Sequence, residues 1–274
     1  MSSSYGIERR MRHITSAQNA SVKKLRALLQ SPEKTAVDFA FEGDHLLAES
    51  IRARLNLETI FLSESRANNG NMAAYQDLNP ALDVVALPDS LLRSIVSTDA
   101  PQGVAAIARR PAFHFAQVLA VPNPLLVIAA SIQDPGNLGT LIRSAEAFGA
   151  AGVLALPGTV SPWNQKALRA SAGSTFRLPV IDITTTHLPL LRQQGIRIYA
   201  AVPDKAFPAH QTALQQPSAI MIGNEGAGLP AELIEIADGL ITVPSSGAVE
   251  SLNAAVAGSI LLYEASQQRR GVSQ

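Results

Sequence analysis

Three short polar stretches of this 274-residue chain hold the side chains that could do chemistry, and each follows an apolar run. Asp134-Pro-Gly-Asn-Leu-Gly-Thr-Leu-Ile-Arg143 follows Leu125 to Ala130, Gly223-Asn-Glu-Gly-Ala-Gly-Leu-Pro230 follows Ala219 to Ile222, and Ser245-Ser-Gly-Ala-Val-Glu-Ser-Leu-Asn253 follows Gly239 to Pro244. Carboxamides, one guanidinium, hydroxyls and free backbone N–H groups suit a polar ligand better than a core. Ser251 is placed to cap the long amphipathic segment Leu252 to Gln268, with Asn253 inside its first turn. Capping could explain one such stretch. Three of them at separate strand ends point to a binding site.

In the first stretch, Leu138, Leu141, Ile142, Ala145 and Phe148 give the following helix an apolar face and leave Arg143 on another side near its start. A cation there opposes the macrodipole, so it needs either an anionic ligand or a salt bridge. The second stretch has glycines spaced GxxGxG, not the GxGxxG of a dinucleotide fold, and the chain has no GxxxxGK[ST]. What remains is a loop whose small residues let backbone groups approach a ligand, with Glu225 as its one charge. A fourth patch, Ser161 to Gly173, sets Trp163 beside Lys166 and Arg169. That combination fits either a core tryptophan with surface cations or a base-stacking platform with phosphate contacts.

The elements that must position these stretches form two domains. A basic arm (1–20) leads into a small α/β domain (21–110), with a helix over Ser21 to Gln30, a helix capped by Asp44, and strands near Asp38, Leu57, Asp83 and Gly103. Prolines 111, 122 and 124 break the pattern over 111–124, which reads as a linker. From Leu125 onward, continuous apolar runs alternate with helical patterns, indicating a mainly parallel sheet covered on both faces. Ligands of such sheets sit beyond the carboxyl ends of the strands, where the three polar stretches fall.

Composition narrows the chemistry further. There is no cysteine, which excludes disulfides, thiol nucleophiles and thiolate metal sites, and the five histidines lack HxH or HxxxH spacing, so no metal is expected. The formal charge is zero, yet residues 1–30 carry Arg9, Arg10, Arg12, Lys23, Lys24 and Arg26 against the single acid Glu8. This segment is either a nucleic-acid contact or a solubilising tail. No apolar run approaches the ~20 residues of a membrane span and no signal-peptide core is present, so a cytoplasmic protein without membrane contact is expected.

Taken together, Asp134-Pro-Gly-Asn-Leu-Gly with Arg143, Gly223-Asn-Glu-Gly-Ala-Gly-Leu, and Val243-Pro244 followed by Glu250-Ser-Leu-Asn253 resemble the three signature motifs of the SpoU (TrmH-like) family, RNA 2′-O-ribose methyltransferases of the SPOUT class. Lys166-Ala-Leu-Arg-Ala-Ser-Ala-Gly173 is similar to a further family segment, and Phe39-Ala-Phe-Glu-Gly43 with Pro101-Gln-Gly-Val104 resembles the N-terminal substrate-binding domain of its ribosomal-RNA members. The resemblance implies a methyltransferase domain over 125–274 ending in a trefoil knot, a bent S-adenosylmethionine in the knot loops, and a homodimer that completes the active site. It places Gly223, Asn224, Gly226, Val243, Pro244 and Leu252 at the donor, and Asn137, Arg143, Glu225, Ser251 and Asn253 around the reacting centre. RNA contacts fall to the basic arm, Trp163, Lys166 and Arg169. Ribosomal RNA is the expected substrate; transfer RNA, a non-catalytic RNA-binding protein and a small-molecule α/β enzyme are the alternatives. The family reading of the motif-one arginine as a base sits poorly with a guanidinium pKa above ~12, so stabilising a developing alkoxide is the easier role for Arg143.

Overall fold

A computed structural model describes residues 11–30, 36–69, 82–96, 98, 100–245 and 251–271. Arg9 and Arg10 lie outside the described residues. The chain divides after Pro111 into two compact units.

In the first unit, strands β1 (Arg12–His13), β2 (Asp38–Glu42), β3 (Leu57–Ser63), β4 (Asp83–Leu87) and β5 (Val104–Arg109) form a sheet in the order β1-β4-β3-β5-β2, with β5 antiparallel to both neighbours. Helix α1 (Ala20–Gln30) buries Val22, Leu25 and Leu29, one stripe of its helical period, against Phe61, Val85 and Ile107. Among the described residues the unit's other helices are α2 (Asp44–Arg52), α3 (Glu64–Asn69) and α4 (Asp89–Arg93). The basic arm is not wholly an arm: Arg12 and His13 pair with Val85 and Ala86, and Arg12 reaches Asp83 at 2.7 Å. Asp44 does not cap α2. It is the helix's first residue after Gly43, and its carboxylate faces the Arg66 guanidinium instead.

The second unit carries a seven-stranded, all-parallel sheet of order β10-β12-β9-β11-β6-β7-β8. Its strands are β6 (Leu125–Ala129), β7 (Gly152–Ala155), β8 (Val180–Asp182), β9 (Arg197–Ala201), β10 (Phe207–Pro208), β11 (Ser218–Ile222) and β12 (Gly239–Thr242). Both faces are covered, as the unbroken apolar runs predict. Leu125, Val127 and Ala129 point into one core with Ile220 and Ile222, while Leu126 and Ile128 point into the other with Ala219 and Met221. The first core is closed by α6 (Pro135–Ala147) and α10 (Ala254–Gly271), the second by α8 (Leu188–Gln193) and α9 (Ala231–Ile236). Of segment 111–124, read from sequence as a linker, all but Pro111 belongs to this unit. It holds the short helix α5 (Phe115–Leu119), with Val118 buried and Gln117 reaching back to the His114 amide.

Helix α7 (Gln165–Ser171) packs beside α6. Trp163, just before it, is only 8% exposed. Its ring is therefore interior, which corrects its expected place as a base-stacking platform.

Candidate functional site

Because the strands are parallel, their carboxyl ends share one edge of the sheet, and the three polar stretches leave from there. The loop after β11 is built by Asn224. Its Oδ1 accepts the amides of Gly226 and Ala227 (2.9 and 3.0 Å), its Nδ2 donates to the Ser131 carbonyl after β6 (2.9 Å), and its backbone pairs both ways with Gly228 at 3.0 Å. Gly223 is dictated by the return of this loop upon itself, since a Cβ there would lie 2.5 Å from the Gly228 carbonyl carbon.

Under the loops lies a cleft of about 360 Å³, walled by residues 222–229, the ends of β9 and β12 and the first turns of α10. Gly223, Asn224, Gly226, Val243, Ser251 and Leu252 all line it. Pro244, expected at the donor, is exposed and is not among the lining residues, although its neighbours Val243 and Ser245 are. Sequence reasoning missed the wall from Ala201 to Pro203 at the end of β9. The available signal was that every strand end of a parallel sheet faces the same edge.

The first and third stretches meet the second through a chain of side chains. Asn253 Nδ2 donates to Asn137 Oδ1 (3.0 Å), and Asn137 Nδ2 donates to Glu225 Oε1 (2.9 Å). Glu225 also accepts the backbone N–H groups of Gln133 and Asp134 at 3.3 and 3.2 Å. Asn253, not Ser251, caps α10: its Oδ1 accepts the amides of Ala255 and Val256, and the helix begins at Ala254. One carboxamide thus both ends the helix and enters the site. Among the described residues, Asn137 and Asn253 each keep one side-chain N–H beyond this chain, available to an oxygen of a ligand.

Burial acts to raise the pKa of Glu225, but the hydrogen bonds from Asn137 and from the backbone outweigh it and hold the carboxyl below its ordinary value. A depressed folded-state pKa gives stability that is present above the unfolded value and lost as pH falls through the folded one. The melting temperature of the wild type should therefore exceed that of Glu225→Gln at neutral pH, with the gap closing in acid. A gap independent of pH would show that the charge does not hold the loop.

Arg143 is exposed and makes no hydrogen bond or ion pair among the described residues. The macrodipole argument for it fails, because α6 starts at Pro135 and Arg143 is the ninth of thirteen residues, in the helix's later half. Lys166 and Arg169 are exposed on α7, and Lys166 pairs with Asp134. In the first unit Lys23 is exposed and Arg26 half-buried, but Lys24 is taken up by Asp38 and Glu58 at 2.7 and 2.6 Å. The basic face of α1 is thus partly neutralised. Among the described residues no group of histidines and carboxylates could hold a metal.

With this geometry in hand, comparison with known proteins gives a consistent result. Residues 124–263 match the model of the SpoU rRNA Methylase family, and residues 19–106 that of the MRM3-like substrate binding domain. The Bacillus subtilis 23S rRNA (guanosine(2553)-2′-O)-methyltransferase RlmP is 34% identical over 256 residues, 92% of this chain and 98% of the relative. The SpoU methyltransferase AviRb of Streptomyces viridochromogenes, solved with AdoMet, superposes with a TM-score of 0.82 at 26% identity, covering 92% of this chain and 99% of that one. An AdoMet-bound rRNA methyltransferase of Sinorhizobium meliloti gives 0.80 at 28% identity, covering 94% and 98%.

Proposed function

This chain belongs to the SpoU rRNA methylase family, and on that premise we propose that it transfers a methyl group from S-adenosylmethionine to a ribose 2′-hydroxyl of ribosomal RNA. The observation that carries this reading is the Asn253–Asn137–Glu225 chain at a glycine-walled cleft. At about 360 Å³ the cleft falls within the ~300–1,000 Å³ range of small-molecule sites. Ile222, Ile241 and Leu261 give it an apolar floor, and the loop 223–228 supplies backbone groups, a fit for a ligand with an aromatic base and charged ends.

When bound, S-adenosylmethionine supplies an electrophilic methyl group on a sulfonium. The ribose 2′-oxygen would take the methyl carbon as its bond to sulfur breaks, S-adenosylhomocysteine would leave, and the hydroxyl proton would pass to solvent water. The chain's task is chiefly alignment, which can be worth ~7–11 kcal/mol in favourable cases. Loop 223–228 and Leu252 bracket the donor, and the two carboxamides orient oxygen through their remaining N–H groups. Glu225, its basicity lowered by three donors, is a fixed anion holding Asn137. Arg143 provides positive charge for the developing alkoxide and a substrate phosphate. Lys23, Arg26 and Arg169 contribute to gripping RNA, whereas the Lys166 ammonium is engaged by Asp134.

The functional unit is a homodimer with a shared site and a trefoil knot through the second unit's C-terminal part, working in the cytoplasm; among the described residues no helix is long and apolar enough to cross a membrane. The support for the dimer is a stripe along α10. From spacing, Leu252, Val256, Ile260 and Tyr263 would be read as the face buried within the chain. They are 36%, 47%, 40% and 50% exposed, while Ala255, Gly258, Leu261, Leu262 and Ala265 face the core. Leu252, just before the helix, belongs to the cleft, and a second copy covering Val256, Ile260 and Tyr263 would gain up to ~1.5–3 kcal/mol for each one fully buried. Ile260→Asp should then sediment as a folded monomer and lose methyl transfer. A folded monomeric variant with full activity would defeat the shared site.

Isothermal titration with S-adenosylmethionine separates an enzyme from a purely RNA-binding protein. Mapping 2′-O-methyl groups in RNA from cells lacking the protein decides ribosomal against transfer RNA, and loss of a mark only from transfer RNA would overturn the substrate.

A further inference from the structure

We propose that Asp134 and Lys166 are positioning residues for the transfer, a bracket that fixes Asn137 against Glu225; this rests on the methyl transfer proposed above. Asp134 divides its carboxylate. Oδ1 accepts the Asn137 backbone N–H at 2.9 Å, capping α6, and Oδ2 takes the Lys166 ammonium at 2.5 Å. Its own backbone N–H donates to Glu225 Oε1, the same oxygen that receives the Asn137 side chain. One residue therefore holds both partners of the central hydrogen bond.

Two features show that Lys166 is placed for this contact. It lies in the first turn of α7, where the cap residue Asn164 accepts its amide and where a cation is disfavoured by the helix dipole. Its stem crosses the first turn of α6 at Gly136, where a Cβ would stand 3.0 Å from Lys166 Cε and 2.8 Å from Asp134 Oδ1. Any side chain there would push the two apart.

The pair is solvent-accessible, with side chains 58% and 41% exposed, and exposed pairs add little to folding. Its loss should therefore show in rate and not in stability. Neither residue lines the cleft, so donor affinity should be unchanged.

The experiment compares Lys166→Gln, Lys166→Arg, Asp134→Asn and the double variant Lys166→Gln/Asp134→Asn in the full-length protein. Asparagine retains the capping oxygen, so Asp134→Asn removes the charge and the ion pair while keeping the cap. The expected result is a kcat lower by about 10- to 100-fold for Lys166→Gln and Asp134→Asn, the scale of a small misplacement of reacting groups. The double variant should be no worse than either single one, Lys166→Arg should recover most of the rate, and the dissociation constant for S-adenosylmethionine and the melting temperature should hold. A raised KM for RNA with unchanged kcat would overturn the proposal in favour of a phosphate contact, and additive losses would overturn the coupling. The side-chain amide resonances of Asn137 are followed in the same variants: shifted, faster-exchanging signals in Lys166→Gln support the bracket, and unaltered ones overturn it. Because that readout needs no turnover, a wild type without methyl transfer would sink the function while the bracket is still decided.

Discussion

Arg143→Ala should lower the turnover of methyl transfer by about 10²- to 10³-fold, the cost of losing one charge-stabilising contact, ~2.7–4 kcal/mol, while circular dichroism and melting stay those of the wild type. The expectation follows from what the guanidinium does not do. It is exposed on α6, lies away from the core-facing Leu141, Ile142 and Ala145, and has no partner among the described residues to lose. Arg143 lies outside the first and last turns of α6, where the dipole acts, so truncation costs little in folding. Single-turnover kinetics with saturating donor separates chemistry from RNA binding. Arg143→Lys should fall between, because an ammonium keeps the charge but not the planar fork. Near-normal turnover in Arg143→Ala would remove the residue from the site.

How much of this was legible in the sequence varies with the physics of each element. Strands β6 and β11 were plain because they are buried on both faces and so read as unbroken apolar runs. The convergence of three polar loops followed from parallel strands sharing an edge. That Asn253 would reach Asn137 across 116 positions could not be read, because nothing local encodes a contact between a helix cap and another helix's first turn. Ser251 and Asn253 are both good capping residues, and choosing between them requires the backbone.

Helix α10 shows a different limit. Leu252, Val256, Ile260 and Tyr263 repeat at helical spacing, but so do Ala255, Gly258, Leu262 and Ala265. A helix apolar on two sides has no single hydrophobic stripe, so periodicity cannot say which side meets its own chain. The smaller residues face inward because α6 lies close: a Cβ on Gly258 would stand 2.6 Å from Leu141 Cδ1. Leu261 and Leu262 fill the core beside them, and Val256, Ile260 and Tyr263 are left outside. Ion pairs were equally invisible, so the basic face of α1 read as freer than Asp38 and Glu58 leave it.

Gly223→Ala should reduce affinity for S-adenosylmethionine by about 10- to 100-fold, because forcing a methyl group into a filled space costs ~1–3 kcal/mol and each ~1.4 kcal/mol is tenfold. The new Cβ would meet the Gly228 carbonyl carbon at 2.5 Å, its oxygen at 2.6 Å and the Leu229 amide nitrogen at 2.7 Å. All three are backbone atoms and cannot rotate away. To make room, the paired backbone of Asn224 and Gly228 must open, which displaces Glu225 and with it the hydrogen bond to Asn137. Turnover should fall further than binding for that reason. Gly226→Ala is the informative control: its Cβ would find only Asn224 Oδ1, at 3.7 Å, an ordinary contact, so the loop should keep its shape. If the donor passes against the loop's backbone as proposed, Gly226→Ala will weaken binding without lowering the melting temperature, whereas Gly223→Ala will do both. A Gly223→Ala protein that binds the donor normally would show that this loop does not wall the donor site, and normal binding by Gly226→Ala would move the ligand to the side of the cleft formed by β12 and α10.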